Sequence, residues 1–243
     1  MLKPIKTLAF WLVFLGTGLL YQLALVFSFL RVSNPIERQR AAQRGRLHWS
    51  AWTMRWFFSV PPLSALQAAA ARLPEQFILV CNHRSNLDPL FVFVIGRPLV
   101  FLSKKSVLKA PVIGRWMRLC GDIAVNRSEK SSREKSLQAM RESLNRGSSL
   151  LVFPEGTRQA DPEVPLGSFK DGAFALAAET GVPLVALVLH NTHQVWTKGS
   201  LFLNFLPLKS LLSEPIVSQG RTPNALKEET VEKMMKMIQS LRE

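Results

Sequence analysis

Acidic residues are scarce in this 243-residue chain: 17 Asp and Glu stand against 31 Lys and Arg, a net charge of +14. Such a basic excess suits anionic headgroups or a phosphorylated carrier. Cysteine is nearly absent. Cys81 and Cys120 cannot build a disulfide framework, and each sits in an apolar run, so both are expected as reduced core residues in a reducing compartment. Charged residues make up only 20% against 47% hydrophobic, which excludes a disordered chain. No Gly-X-Y period, persistent heptad, internal repeat or low-complexity segment occurs, so collagen-like and coiled-coil architectures fall away. The length fits one α/β domain with an appendage.

Several enzyme signatures are also missing. Without a Gly-x-Ser-x-Gly elbow a serine hydrolase is disfavoured. Without Gly-x4-Gly-Lys-Ser/Thr or Gly-x-Gly-x-x-Gly there is no sign of nucleoside triphosphate or dinucleotide use. His190 and His193 lie three apart but lack clustered Cys or carboxylates, so no metal site is expected.

What is present begins with a membrane signature. Thr7 to Leu30 carries no charge over 24 residues, about 36 Å as a helix. A cleaved signal peptide would have a shorter apolar core and a small-residue site after it, where this chain has Phe29-Leu30-Arg31. The run suits either a helix that crosses a bilayer or one that dips into it. Five arginines follow it against two lysines before, which puts its C-terminal side in the cytoplasm. Trp49, Trp52 and Trp56 recur at helical spacing, as headgroup-level indoles or as core, and Pro61-Pro62 closes the segment. Removing residues 1–60 is expected to give a more soluble chain with poor activity on bilayer substrate.

Beyond the prolines, strand and helix patterns alternate. Helices are expected over Leu63–Leu73, Pro89–Ile95, Val107–Leu119, Glu129–Asn145 and Gly172–Thr180. Strands are expected over Gln76–Asn82, Leu99–Leu102, Ile123–Val125, Leu150–Phe153 and Pro183–Leu189. This predicts a largely parallel, buried sheet. Leu201–Val217 offers further strands. Thr222-Pro223 starts a final helix with Val231, Met234, Met235, Ile238 and Leu241 in one apolar stripe.

Chemistry concentrates at strand ends. In Cys81-Asn82-His83-Arg84-Ser85-Asn86-Leu87-Asp88-Pro89, a histidine follows a buried strand and an aspartate comes five residues later. Asp88 can cap the helix at Pro89 and hold one nitrogen of His83, leaving the other to take a proton from an alcohol. The plainer alternative is a capping aspartate beside a satisfied histidine. Phe153-Pro154-Glu155-Gly156-Thr157-Arg158 also follows a strand: Gly156 allows close approach, Arg158 suits a phosphate, and Glu155 can orient that arginine or meet a polyol hydroxyl. A plain surface turn is the alternative. Gly121–Arg127 ends in a second arginine. Between Asp88 and Asp122 six bases occur and no acid, and Lys170 adds another base before the helix at Gly172. A base with no enzyme nucleophile suits direct attack by a substrate hydroxyl.

The ordered set His83-x4-Asp88, Gly121-x-Ile123-x3-Arg127, Phe153-Pro154-Glu155-Gly156-Thr157-Arg158 and Val182-Pro183-Leu184 resembles the glycerolipid acyltransferase family, above all 1-acylglycerol-3-phosphate acyltransferases. The likeness runs from about Leu63 to Val217. Lys104, Phe169-Lys170 and Glu214-Pro215-Ile216 also look like family positions. Gln159 and Ala186 depart from the pattern without removing a charge or a base.

The resemblance implies an α/β fold with a mostly parallel central sheet flanked by helices, like glycerol-3-phosphate acyltransferase. Residues 1–62 would be a membrane-associated helical segment with a basic linker, and residues 63–243 the acyltransferase domain. It implies transfer of a fatty acyl group from a thioester to the sn-2 hydroxyl of lysophosphatidate, giving phosphatidate. His83 would be the general base and Asp88 its partner. Lys104 or the Gly156 N–H would meet the oxyanion, and Arg127, Glu155, Thr157 and Arg158 would bind the acceptor. No cofactor or metal is implied beyond acyl-CoA or acyl-carrier protein as co-substrate. The expected partners are lysophospholipid, acyl donor and an anionic membrane surface, with no nucleic acid. The expected location is the membrane, with the catalytic domain on the cytoplasmic face. An acyltransferase for another lysolipid, such as a lyso-ornithine lipid, and a non-catalytic basic membrane adaptor are the alternatives.

Overall fold

The structure, a computed structural model, describes residues 2–29, 31–58, 63–110, 112–126, 128–159, 161, 163–197 and 199–242. Pro61, Pro62 and Arg127, used above, lie outside the described residues.

The apolar N-terminal run forms α1 (Leu2–Phe29), and the basic segment expected as a linker is a second helix, α2 (Pro35–Phe57). Asn34 caps α2: its side chain accepts from the Ile36 N–H, and Pro35 takes the first helical position. Then come α3 (Leu63–Ala71), β1 (Ile78–Cys81), α4 (Asp88–Phe93), β2 (Val100–Lys104), α5 (Ile113–Leu119), β3 (Ile123–Val125), α6 (Lys130–Asn145), β4 (Leu150–Val152), α7 (Gly172–Thr180), β5 (Leu184–His190), the single turn α8 (Thr192–Val195), β6 (Lys209–Leu212) and α9 (Pro223–Arg242).

The six strands lie in the order β3-β2-β4-β1-β5-β6, five parallel and β6 antiparallel at the edge. Every residue of β1 and β4 is buried, as a parallel sheet covered on both faces requires. Alternate side chains therefore enter two cores. Ile78, Val80, Leu184, Ala186 and Val188 meet α6, α7 and α9 on one face. Leu79, Cys81, Val185 and Leu187 point the other way, toward Phe91, Trp116, Trp49, Met54 and Phe10. That second core is shared with α1 and α2, so the N-terminal helices are part of the packing of residues 63–243.

Three expected elements differ. Val107–Leu119 is a 3₁₀ turn (Val107–Lys109) followed by α5, because the chain folds back so tightly that a Cβ on Gly114 would overlap the Leu108 carbonyl. Within Leu201–Val217 only β6 and a bridge from Ile216 to Leu184 are strand-like. On α9 the buried stripe is Leu226, Thr230, Met234, Ile238 and Leu241, while Met235 faces outward.

α1 lacks the usual polar outer face: Phe10, Phe14 and Leu25 are buried, yet the outward side is apolar as well. Its polar Thr7 and Gln22 are buried, and Gln22 donates to the Val112 carbonyl at 2.7 Å. Thr17 accepts from the Trp49 indole at 3.1 Å. Ile5, Leu8, Leu12, Leu19, Leu23 and Phe27, at 48–69% exposed, face outward. Only 28% of the apolar window is buried, so α1 is unlike a soluble core helix. The outward side of α2 carries Arg40, Arg44, His48, Trp52, Arg55 and Trp56, whereas Trp49 is core.

Candidate active site

The C-terminal ends of β1, β2 and β4 converge on one cavity of about 930 Å³. Past Cys81 the chain leaves β1, and the Asn82 side-chain amide pairs both ways with the Leu189 backbone, at 2.9 and 2.8 Å. That pairing fixes the next residue, His83, at the rim of the sheet. The imidazole stacks on Phe153 (centroids 4.3 Å apart, planes at 24°) and lines the cavity.

His83 Nδ1 lies 2.8 Å from Asp88 Oδ2. A carboxylate accepts, so Nδ1 carries the proton and Nε2 is the ring nitrogen available to a substrate. The same Oδ2 accepts from the Arg84 and Ser85 N–H groups, both at 2.7 Å, and Asp88 is fully buried. The expected helix cap is therefore not made. Asp88 is itself the first residue of α4, and its carboxylate turns back onto the preceding loop. Backbone N–H groups stabilise the buried charge and orient it toward the imidazole.

The Glu155 turn clamps the peptide of His83. Glu155 Oε1 accepts from the His83 N–H at 2.7 Å, and the Gln159 N–H donates to the His83 carbonyl at 2.8 Å. Oε2 accepts from the Gly167 N–H at 2.9 Å, an approach that a Cβ on Gly167 would obstruct. Burial raises the Glu155 carboxyl above its usual range, against the lowering effect of those two N–H groups. Both oxygens are thus engaged by backbone, and Glu155 does not line the cavity. The expected polyol contact is not available to it as it stands.

Gly156, Thr157, Arg158 and Lys104 all line the cavity with His83. Gly156 adopts φ +69, a left-handed conformation that favours glycine, and a Cβ there would also crowd the flexible Lys170 side chain. Its N–H donates to the Phe153 carbonyl at 3.1 Å, closing the turn, so the donor suggested for an oxyanion is already engaged. Arg127 lies outside the described residues, between Asn126 and Ser128, which line the cavity.

Much of the remaining wall is apolar: Phe93, Phe101, Ile113, Trp116 and Met117. The cavity is also lined by an ion pair that the sequence did not suggest. Arg46, counted among the flanking bases, is only 4% exposed and donates to Asp122 and to the Leu99 carbonyl. Its guanidinium covers the Phe93 ring at 4.1 Å. Burial pushes the Asp122 carboxyl up while Arg46 draws it down, and burial prevails. The available signal was Gln43, Arg46, Ser50 and Thr53 on the buried side of α2, where apolar residues would ordinarily stand. Among the described residues no His, Cys, Asp or Glu cluster suits a metal.

The sequence profile described as Acyltransferase matches residues 67–190, just over half the chain. A chloroplastic 1-acyl-sn-glycerol-3-phosphate acyltransferase of Brassica napus is 36% identical over 140 residues, 57% of this chain and 40% of the relative. The Saccharomyces cerevisiae 1-acyl-sn-glycerol-3-phosphate acyltransferase is 28% identical over 217 residues, 82% of this chain and 68% of the yeast protein. The chain thus spans about two fifths of the length of the plant relative. The crystal structure of PlsC, the 1-acyl-sn-glycerophosphate acyltransferase of Thermotoga maritima, superposes with a TM-score of 0.78 at 20% identity, covering 97% of this chain and 95% of that one, a likeness of fold. With its own histidine–aspartate pair seated inside the matched segment, the chain belongs to the acyltransferase family.

Proposed function

We propose that the protein transfers a fatty acyl group from an acyl thioester to the sn-2 hydroxyl of lysophosphatidate, giving phosphatidate. One observation carries this reading: the cavity lined by His83, whose imidazole meets Asp88, combines the bases Lys104 and Arg158 with a broad apolar wall that includes Phe93, Trp116 and Met117. Those two kinds of lining suit a phosphate headgroup and a fatty chain. The names of the Brassica and yeast relatives support the choice of acceptor.

In this reading His83 Nε2 takes the proton of the sn-2 hydroxyl as the oxygen attacks the thioester carbonyl. Asp88 stabilises the imidazolium. Lys104 faces the negative carbonyl oxygen of the tetrahedral intermediate. Collapse breaks the carbon–sulfur bond, and the imidazolium returns the proton to the departing thiolate. Arg158 and Arg127 hold the acceptor's phosphate, with Thr157 beside them. Glu155 acts through the backbone by holding the peptide of His83. The donor is a thioester of coenzyme A or of an acyl-carrier protein, and no other cofactor takes part.

The apolar N-terminal helix supports association with a membrane. Because α1 is packed along its length, from Thr7 to Leu25, against α2 and residues 63–243, it lies in one leaflet rather than crossing it. The bases and indoles outward on α2 sit at headgroup level, and the body rests on the cytoplasmic side.

The test is a purified assay crossing lysophosphatidate and a lyso-ornithine lipid with acyl-CoA and acyl-carrier-protein donors. Wild type is expected to use lysophosphatidate. His83→Ala is expected to lose about 10²–10⁴-fold in kcat with an unchanged melting temperature. Turnover near wild type in that variant would reject the reading.

A further inference from the structure

After α8, residues 199–208 pack in part against the first turns of α1 and carry an exposed apolar tip. Phe205 packs against Phe10 of α1 and Phe57 and Phe58 at the end of α2, with centroids 5.4–6.5 Å apart. Trp196 meets Trp11 edge-on at 5.3 Å, and the Leu203 N–H donates to Thr7 Oγ1 at 3.1 Å. These contacts join the base of the loop to the helix that turns its leucines outward. The tip goes the other way. Leu201 is 83% exposed and Phe202 43%, with Leu206 beside them at 36%.

Several polar groups around the tip are paired within the loop. Phe202 N–H donates to Ser200 Oγ, whose hydroxyl donates back to the Phe202 carbonyl, at 3.0 and 2.9 Å. Ser200 N–H donates to the Thr197 carbonyl, and the Trp196 indole donates to the Ser200 carbonyl at 2.9 Å. Asn204 is tied by backbone and side chain to Val195 and Gln194. Each of these pairs lowers the cost of entering hydrocarbon, where unpaired backbone groups are expensive.

We propose that Leu201 and Phe202 form a second membrane-inserting element, a wedge entering the same leaflet as α1. This rests on the membrane-lying reading of α1. The occupant is a lipid bilayer and not a second copy of the chain: the base of the loop is packed on the first turns of α1, the helix that exposes its leucines, and Lys3 and Lys6 on those turns suit anionic headgroups. The wedge fixes the rotation of the body on the leaflet, which one helix alone leaves free.

The experiment compares the full-length wild type with Leu201→Asp/Phe202→Asp and with Leu12→Asp/Leu19→Asp by flotation with vesicles of phosphatidylethanolamine and phosphatidylglycerol. Both tip residues are exposed and belong to neither core, so folding is expected to survive. The tip variant is expected to lose roughly tenfold in vesicle partitioning and keep wild-type turnover of detergent-dispersed lysophosphatidate. A Leu201→Cys variant carrying an environment-sensitive dye is expected to shift to the blue on vesicle addition, its label being specific because both native thiols are buried. If the tip variant floats like wild type while the α1 variant is released, the wedge is overturned and the membrane reading stands. If both float like wild type, both readings fall. A dye that keeps its aqueous spectrum on bound vesicles, or a tip variant whose only change is in sedimentation as an oligomer, also overturns the wedge.

Discussion

Glu155 sits beside the His83–Asp88 loop without entering the cavity, and its carboxylate bridges the His83 and Gly167 N–H groups. Glu155→Gln keeps one acceptor but turns an NH2 toward one of those donors, so the His83 peptide shifts. Small displacements of a catalytic group lower the rate by up to about 10²-fold. We expect kcat to fall roughly 10- to 100-fold with KM for lysophosphatidate nearly unchanged, whereas Arg158→Ala raises KM. Steady-state kinetics separate the two. A pH dependence follows as well. Because burial raises the Glu155 carboxyl, it takes up its proton at a higher pH than an ordinary glutamate, and the protonated group loses an acceptor. The acid limb of kcat should therefore begin earlier in wild type than in Glu155→Gln, measured against each protein's own plateau. The sequence placed the Glu155 turn after a strand but suggested a ligand contact, because nothing in its spacing marks Gly167, twelve residues on, as the second partner.

At the scale of elements, strands β1 to β5 were readable because each is a short apolar run between turn-forming residues, and burial on both faces explains why they do not alternate. Contacts between distant segments were not readable. Arg46 looked like one more solvated base after an apolar run, and only its meeting with Asp122, 76 residues on, makes it interior. That pair ties α2 to β2 and β3: Asp122 also accepts from the Phe101 N–H, and Arg46 donates to the Leu99 carbonyl. Arg46→Met should leave a buried carboxylate uncompensated, at a cost of about 3–5 kcal/mol. For a chain of this size that lowers the melting temperature by roughly 10 °C. Arg46→Met/Asp122→Asn should recover most of the loss, since asparagine can still accept from Phe101. Thermal melts of the three proteins in one detergent check both statements, and a single variant no worse than the double would contradict the account.

At the scale of the molecule, the hydropathy contrast between residues 1–60 and the remainder suggests a detachable anchor, and the packing argues otherwise. Trp49, Met54 and Ala42 of α2 share a core with Phe91, Phe93, Trp116 and Cys120. Removing residues 1–60 uncovers that face and strips Asp122 of Arg46. The truncated chain is therefore expected to expose apolar surface, bind a hydrophobic dye and aggregate, instead of becoming the more soluble domain expected from composition. The thiols provide a second readout. Burial pushes Cys120 up to about 12 and raises Cys81 too, so in the full chain neither forms appreciable thiolate at mildly alkaline pH and neither should react with a disulfide reagent. Cys120 lies under α2, with the Gln43 side chain donating to its carbonyl, so truncation should render it reactive while Cys81, within β1, stays protected. Solubility should come from a different change: Leu12→Ser/Leu19→Ser/Leu23→Ser alters only outward positions of α1 and should keep both cores and both unreactive thiols while weakening vesicle binding. A truncated chain that is monomeric, dye-silent and thiol-protected would show that residues 63–243 fold without the N-terminal helices.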